Sequence, residues 1–287
     1  MDKKNTEKQI QWYPGHMFKS FRQIKEKLKL MDIVMILLDA RLPISSMNPE
    51  VLKMVKHKPI LLLFNKMDLA DSNMLKEHMD YYERLGFHVL KIDAQSQINT
   101  NKIYDKASEV LKDKINKNKE KGLLTRPIRT MILGIPNVGK STLINALSGT
   151  KSTRTGNTPG VTKAQQWIKL GDNFELLDTP GVLWPKFEDK KVGYHLAVTG
   201  AIRDNIIPID DVCQYALNFL KTIYPKRLLD RYGIPLEVND FVEMLDIIGK
   251  KRGALLKGAQ IDYDRVYFIV LTDIRNNLLG GLSFDRI

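Results

Sequence analysis

Short apolar runs recur along the first part of the chain, and each is followed by a polar stretch long enough to form a helix. The runs lie at 33–38, 60–64, 89–92 and 130–133. Continuous apolar runs of this length are typical of strands that are covered on both faces. The alternation therefore predicts an α/β fold with a mostly parallel sheet between helices.

A second pair of apolar runs, at 167–170 and 174–177, is separated by a short turn that begins with Gly171. This spacing predicts an antiparallel hairpin that extends the same sheet. The segment 112–122 is charged and nearly devoid of apolar residues. It is predicted to be a solvated helix end or a linker within this domain.

The pattern changes in the later part of the chain. Apolar residues at spacings of three and four predict helices at 212–224 and 240–250, whereas composition predicts a strand at 266–271. A chain of 287 residues is long enough for two domains, each with its own core. We predict an α/β domain over residues 1–189 and a smaller, mainly α-helical domain over residues 190–287.

The cysteine content and the length of the apolar runs bear on the compartment. The single cysteine, Cys213, cannot form an internal disulfide, and its expected role is that of a small buried side chain. No apolar run is long enough to span a bilayer. We therefore expect a cytoplasmic protein with no membrane partner.

Basic residues outnumber acidic ones by 45 to 33, which gives a formal net charge of +12 at pH 7. A positive field of this size attracts polyanions, so nucleic acid is a candidate partner. The alternative is a lysine-rich composition without functional meaning, and composition alone does not decide between the two. The basic excess lies mainly in residues 1–122.

The segment 134–141, GIPNVGKS, fits the Gly-x-x-x-x-Gly-Lys-Ser/Thr pattern of phosphate-binding loops. It follows a predicted strand and precedes an apolar-periodic segment, as such a loop requires. Its glycines let successive backbone N–H groups face phosphates. Lys140 is predicted to neutralise the β- and γ-phosphates, and the Ser141 hydroxyl to bind Mg²⁺. The predicted nucleotide contacts in and after this loop are Asn137, Val138, Gly139, Lys140, Ser141 and Thr142.

The segment 65–68, NKMD, follows the second predicted strand at its carboxyl end. The Asp68 carboxylate matches the paired N–H donors of guanine, which adenine lacks. Asn65 either braces the loop or reaches the opposite edge of the base. The loop at Asp93 and Ala94 is expected to offer a backbone N–H to the guanine oxygen. The predicted guanine-side contacts are Asn65, Lys66, Met67, Asp68, Asp93 and Ala94.

An Asp-x-x-Gly pattern runs from Asp178 to Gly181 after the second hairpin strand. There a carboxylate can hold Mg²⁺ through water, and a glycine N–H can meet the γ-phosphate. The same pattern recurs at 230–233 and 246–249, both in the predicted helical part, so position rather than pattern selects Asp178.

A threonine between the phosphate loop and Asp178 is predicted to close on Mg²⁺ when the γ-phosphate is present. We assign this role to Thr162, in a glycine-bearing stretch. Thr153, Thr155 and Thr158 are the alternatives.

The base-reading motif precedes the phosphate loop, which reverses the ordinary order of GTPase motifs. The domain is therefore predicted to be circularly permuted, with 112–122 as the join. The chain that leaves Asp178 then enters the helical domain directly, so contacts to the γ-phosphate are expected to reposition that domain.

The chain closely resembles the YlqF/RbgA family of bacterial ribosome biogenesis GTPases in these motifs, in their order and in four further segments. Those segments are 12–17 (WYPGHM), 39–43 (DARLP), 184–189 (WPKFED) and 196–202 (LAVTGAI). The likeness covers about residues 10–287. It implies a GTPase domain followed by a helical RNA-binding domain, and a function in late assembly of the large ribosomal subunit with ribosome-stimulated hydrolysis.

The resemblance also implies K⁺ near Asn137 as a co-activating ion beside Mg²⁺. One departure is Asp93, where many GTPases have serine, and it weakens the case for a base contact through Ala94. We expect a monomer. The helical part also holds basic clusters suited to RNA phosphates, although a solvated helix face is the alternative. The candidates are Lys226, Arg227, Lys250, Lys251, Arg252 and Lys257.

Val182 and Leu183 stand where many GTPases keep a glutamine that orients the attacking water. His16 is our hypothesis for that role, because cyclic order places residues 12–20 beside the switch, and a neutral imidazole can orient water. A surface histidine is the alternative. Apolar Val182 mildly favours a rival function, a nucleotide-sensing RNA-binding scaffold with negligible turnover. A P-loop kinase or ATPase is disfavoured by the NKMD motif.

Overall fold

The structure is a computed structural model. It describes residues 15–122, 126–149, 166–170, 173–184, 187, 189–204 and 206–287, with the side chains of residues 15–17 and 166 left out. Within these ranges the chain forms one six-stranded sheet with helices on both faces, followed by a helical part.

The sheet is mostly parallel, as predicted. Its strands are β1 (Ile33–Asp39), β2 (Ile60–Asn65), β3 (His88–Lys91), β4 (Ile128–Gly134), β5 (Gln166–Leu170) and β6 (Phe174–Asp178). Their order is β3-β2-β1-β4-β6-β5, and β5 alone among them runs antiparallel, in the expected hairpin with β6. Because β1 is central, its carboxyl end lies between those of β2 and β4.

Among the described residues, six α-helices accompany the sheet: α1 (Gly15–Leu28), α2 (Pro49–Val55), α3 (Ser72–Arg84), α4 (Ile103–Val110), α5 (Lys112–Glu120) and α6 (Lys140–Ser148). No residue of α5 is buried, so residues 112–120 form a solvated helix, one of the two predicted alternatives for the segment 112–122. Five more helices follow in the described part of the chain: α7 (Lys190–Val198), α8 (Ile209–Ile223), α9 (Pro225–Tyr232), α10 (Phe241–Arg252) and α11 (Tyr263–Arg275).

Alternate residues of each central strand enter two different cores. In β1, Met35 and Leu37 belong to one apolar cluster, whereas Ile36 and Leu38 belong to the other. Burial of both faces explains why the strands are continuous apolar runs rather than alternating ones. The second cluster is closed by α1, α2 and α3, and the first by α4, α6 and the helical part.

The predicted strand at 266–271 is wrong, because this segment lies in the middle of α11. The side chain of Asp262 caps the first turn of the helix. Val266, Val270 and Ile274 are buried at a spacing of four residues, so they line one face of a helix. Their β-branched side chains favour strands in isolation, but packing of this face into the core outweighs that preference.

Asp189 caps α7 at the predicted domain boundary, and its side chain accepts the backbone N–H of Lys191 at 2.8 Å. One apolar cluster nevertheless runs without interruption from the sheet into the helical part. The division at residue 189 stays a prediction. In the described part of the chain, no helix is long and apolar enough to cross a membrane.

Candidate functional site

The candidate residues come together at the edge of the sheet where the five parallel strands end. In the β1–β2 pair, Asp39 lies opposite Asn65, so the loops that follow both strands start side by side. In the β1–β4 pair, Leu37 lies opposite Gly134, the first residue of the phosphate loop. Ligands of open α/β sheets bind at this edge. The topology therefore brings NKMD and the phosphate loop together despite their reversed order.

Asn65 joins three of the predicted loops and is 2% exposed. Its Nδ2 donates to the carbonyl oxygen of Val138, in the phosphate loop, at 2.8 Å. Its Oδ1 accepts the backbone N–H of Ala94 at 2.9 Å. Both ends of the amide thus contact protein backbone, which favours the bracing role for Asn65. The same bond engages the Ala94 N–H that was expected to reach the base.

Lys66 lies in a buried ionic cluster with Asp39 and Arg41. Its Nζ donates to Asp39 Oδ2 at 3.1 Å and to the carbonyl oxygen of Asn137 at 2.7 Å. Arg41 donates to the same carboxylate through Nε at 2.9 Å and Nη2 at 2.8 Å. Burial alone would raise the pKa of Asp39, but the charges of Arg41 and Lys66 hold it well below its usual range. The cluster ties the loop after β1 to the phosphate loop.

Two glycines allow the loops to approach closely. Gly139 has a φ of 100°, and a Cβ there would lie 2.3 Å from Asn65 Nδ2. At Gly181 a Cβ would lie 2.9 Å from the backbone of Pro136 and 3.1 Å from Lys140 Nζ. Neither position accepts a side chain without displacement of its neighbours. The Asp-x-x-Gly segment therefore packs directly on the phosphate loop.

Lys140 and Asp178 form the charged centre at the phosphate end. Lys140 is 7% exposed, and its Nζ donates to the carbonyl oxygens of Gly134 at 3.1 Å and Ile135 at 2.8 Å. Burial lowers the pKa of Lys140 to about 8, although the charge of Asp178 opposes this shift. Burial raises the pKa of Asp178 to about 6, against the opposing charge of Lys140. A phosphate beside Lys140 would favour its charged form, and a cation beside Asp178 would favour the charged form of that carboxylate.

The guanine side of the site is acidic and more open. Asp68 follows β2 in a short 3₁₀ turn, and the residue is exposed although its carboxyl group is partly desolvated. Partial burial and the nearby charge of Asp93 raise the pKa of Asp68. Asp93 is 3% exposed, and its Oδ1 accepts the backbone N–H groups of Gln95 at 2.9 Å and Ser96 at 3.2 Å. Asp93 thus shapes the turn in which Ala94 lies.

Asn137 connects the phosphate loop to the helical part. It has a φ of 57°, a left-handed conformation that asparagine tolerates better than most residues. Its Nδ2 donates to the carbonyl oxygen of Gly200, just beyond α7, at 2.7 Å. Gly200 belongs to the 196–202 segment, whose role the sequence did not reveal.

Several other predicted residues lie wholly or partly outside the residues that the structure describes. Thr162 and its rivals Thr153, Thr155 and Thr158 are outside the described residues. The backbone of His16 belongs to α1, and its side chain lies outside the description. Val182 is completely buried, which agrees with its exclusion as a water-orienting group.

The six RNA candidates fall into two groups. Four lysines are exposed: Lys226, Lys250, Lys251 and Lys257. The two arginines are partly buried and pack on aromatic rings of the helical part. Arg227 stacks 4.4 Å from the ring centre of Tyr224, and Arg252 lies 5.7 Å from that of Tyr232. Arg252 is also 3.8 Å from the Asp273 carboxylate.

No role was predicted for Asp39 or Arg41 of the DARLP segment. A signal was available, because Asp39 ends an apolar run as Asn65 does, and the ends of parallel strands meet at one edge. The partners of a carboxylate cannot be read from one segment, however, since Lys66 is distant in sequence.

Comparison with known proteins adds independent information. The family model of 50S ribosome-binding GTPases matches residues 129–252, and that of RsgA GTPases matches residues 51–188. Ribosome biogenesis GTPase A of Priestia megaterium (strain DSM 319 / IMG 1521) is 50% identical over 277 residues, 96% of each chain. The Thermotoga maritima protein of that name is 31% identical over 278 residues, 96% of this chain and 94% of its own.

A solved structure agrees with the fold. Crystalline GNP-bound YlqF from T. maritima has a TM-score of 0.68 and 26% identity, with 93% of this chain and 98% of that chain covered. Since half of the residues are identical across nearly the full length of the Priestia protein, the chain belongs to the ribosome biogenesis GTPase A family and is a circularly permuted P-loop GTPase.

Proposed function

We propose that one GTP molecule binds along this edge of the sheet, with guanine on the 65–68 loop and phosphates on the 134–141 loop. The observation that carries the proposal is the Asn65 side chain, which bonds to both Val138 and Ala94. Because this one amide belongs to the 65–68 loop and bonds directly to the 134–141 loop, the two loops belong to one site. The residues proposed to form the site are Asn65, Lys66, Met67, Asp68, Asp93, Ala94, Asn137, Val138, Gly139, Lys140, Ser141, Thr142 and Gly181, with Asn65 and Ala94 bracing the loops through their mutual hydrogen bond.

GTPases of this fold depend on Mg²⁺, and the residues of this site fit such an ion. Among the described side chains, Asp178 Oδ1 is buried with no hydrogen-bond partner, and its carboxylate is hard and oxygen-based, as Mg²⁺ prefers. We assign Mg²⁺ binding to Ser141, Asp178 and Thr162, and K⁺ to the neighbourhood of Asn137. The bound ion would neutralise charge that develops on the phosphates, while Lys140 neutralises the β- and γ-phosphate oxygens and Gly181 donates its N–H to the γ-phosphate.

His16 is proposed to orient the attacking water. The buried position of Val182 supports the need for another group. Single-turnover hydrolysis by His16→Ala, with and without large ribosomal subunits, tests the role. Rates equal to wild type in both conditions would exclude it.

The enzyme is further proposed to act in the cytoplasm, as a monomer, in late maturation of the large ribosomal subunit, with hydrolysis stimulated by the ribosome. The description of the matched family as 50S ribosome-binding GTPases and the names of the relatives support this assignment. The helical domain, residues 190–287, is proposed to contact ribosomal RNA through exposed lysines such as Lys250 and Lys251. Substitution of both by glutamine should weaken subunit binding and flatten its salt dependence. An unchanged salt slope would refute this contact.

The guanine assignment is tested by Asp68→Asn. An asparagine side chain can donate to the 2-oxygen of xanthine but no longer accepts two hydrogen bonds from guanine. The variant should therefore lose GTP turnover at low substrate concentration and gain turnover of xanthosine triphosphate. Unchanged base preference would remove the guanine assignment. The rival scaffold function requires negligible multiple turnover even with saturating ribosomal subunits, which the same assay measures.

A further inference from the structure

After α11 the chain turns back towards the sheet, and its last residues lie against the guanine side of the site. We call residues 277–285 the C-terminal clasp. Five of its nine residues are buried: Leu279, Leu282, Ser283, Phe284 and Asp285 are each no more than 6% exposed. The sequence contains no motif that predicts this contact.

We call residues 66–70, after β2, the guanine-side loop, and the clasp contacts its backbone at Asp68, Leu69 and Ala70. Asn277 Nδ2 donates to the carbonyl oxygen of Asp68 at 3.2 Å, and the N–H of Leu282 donates to that of Leu69 at 2.9 Å. At Gly281 a Cβ would lie 2.3 Å from the carbonyl oxygen of Ala70. The clasp therefore contacts the carbonyl groups of this loop, while Asp68 as a residue remains exposed.

The clasp also holds the neighbouring loop, which follows β1. The N–H of Phe284 donates to the carbonyl oxygen of Arg41 at 2.7 Å. Asp285 Oδ2 accepts the N–H groups of Ile44 and Ser45, each at 2.7 Å. The Ser45 hydroxyl donates to Asp285 Oδ1 at 2.5 Å. One short segment thus fixes the two loops that lie side by side at the guanine end.

The helical part anchors the clasp. His195 Nδ1, on α7, lies 3.0 Å from Asp285 Oδ1. The hydroxyl of Tyr224 accepts the N–H of Ser283 at 3.1 Å and donates to Asp71 Oδ2, just beyond the guanine-side loop, at 3.2 Å. The position of the guanine-side loop is consequently tied to the helical part as well as to the sheet.

We propose that the C-terminal clasp positions the guanine-side loop, with Asn277 and Gly281 as positioning residues for base discrimination. The inference rests on the proposed role of Asp68 as the guanine acceptor. A carboxylate that accepts two hydrogen bonds from a base edge must be held within about 0.5 Å of its correct place. A short loop does not hold itself that firmly, whereas the clasp supports its carbonyl groups from Asp68 to Ala70.

The test compares GDP with inosine diphosphate, which lacks the 2-amino group that Asp68 is proposed to bind. Affinities are measured by calorimetry on the full chain. In Gly281→Ala the new methyl group must displace Ala70, and the backbone of Gly281 is not left-handed, so the effect is steric. Asn277→Asp keeps the side-chain shape but turns a donor into an oxygen that repels the carbonyl of Asp68. Each variant should lower the preference for GDP over inosine diphosphate about tenfold, or about 1.4 kcal/mol. In GTP hydrolysis, each should raise KM for GTP more than it lowers kcat.

The matched control is Gly249→Ala. A Cβ there would lie 2.7 Å from Ile261 Cγ2. The variant therefore introduces a comparable steric strain within the helical part, at a site that does not contact the guanine-side loop. It should leave the preference unchanged. An equal loss of preference in this control would overturn the proposal, because general destabilisation would then explain the effect.

Asp68→Asn separates the remaining outcomes. If it abolishes the preference while both clasp variants retain it, the clasp has no positioning role. If Asp68→Asn itself retains the preference, the guanine assignment is wrong and the clasp proposal fails with it. If Gly281→Ala does not fold, Asn277→Asp alone decides, since it adds no bulk.

Discussion

The buried cluster of Asp39, Arg41 and Lys66 allows a quantitative prediction. The Asp39 carboxylate accepts four hydrogen bonds, from the backbone and guanidinium of Arg41 and from Lys66 Nζ, at 2.8 to 3.1 Å. The side chains of Asp39 and Arg41 are 3% and 2% exposed, so solvent does not screen the pair. In Asp39→Asn, an amide N–H₂ would face a cation, and the buried Arg41 and the partly buried Lys66, 23% exposed, would lose their counter-charge.

Loss of one partner from a buried ion pair typically costs about 3–5 kcal/mol, much of it from the charge left behind. We expect Asp39→Asn to lower the free energy of unfolding by about that amount at pH 7. The control is Glu50→Ala, which removes a surface pair with Lys53 whose side chains are 49% and 75% exposed. Exposed pairs contribute about 0.2–1 kcal/mol.

The pH dependence follows from the lowered pKa of Asp39 in the folded state. A group of this kind contributes stability that is present above its unfolded pKa, about 3.9, and is lost as the pH falls through its folded pKa. The difference between wild type and Asp39→Asn should therefore be constant between pH 7 and 5 and shrink in stronger acid.

Urea unfolding monitored by circular dichroism measures these differences, with wild type and both variants compared at each pH. A loss below about 1 kcal/mol for Asp39→Asn at pH 7 would contradict the reasoning, because it would mean that solvent or relaxation compensates both cations. A difference that grows in acid would contradict the assigned pKa direction.

Two further predictions concern other parts of the α/β domain. Gly139→Ala should reduce GDP affinity at least tenfold in calorimetry, because its Cβ would collide with Asn65 Nδ2 and its φ of 100° disfavours alanine; wild-type affinity would show that the two loops are not locked together. Burial alone would raise the pKa of Asp32, but hydrogen bonds from Arg126 and Lys114 lower it. The same sign holds as for Asp39, so Asp32→Asn should lose less stability than wild type between pH 5 and 3 in acid titration, and parallel acid profiles would contradict the assignment.

Local patterns were enough to predict the six strands of the sheet and the motifs. Strand positions follow from apolar runs that are covered on both faces, as in β1 and β2. The phosphate loop and NKMD could be recognised because their chemistry is contained in a few consecutive residues. Their reversed order was sufficient to predict a permuted domain, since parallel strands bring their carboxyl ends to one edge whatever the order of the chain.

Tertiary structure decided what depends on partners distant in sequence. The segment 266–271 has the composition of a strand, but its burial at a spacing of four makes it part of α11. Asn65 could brace a loop or bind a base, and the contact with Val138 favours the first. The clasp could not be predicted from the sequence, because Asn277 and Asp68 are 209 positions apart. Contacts between residues so distant in sequence depend on how whole helices and strands pack, and a short stretch of sequence does not contain the information that specifies them.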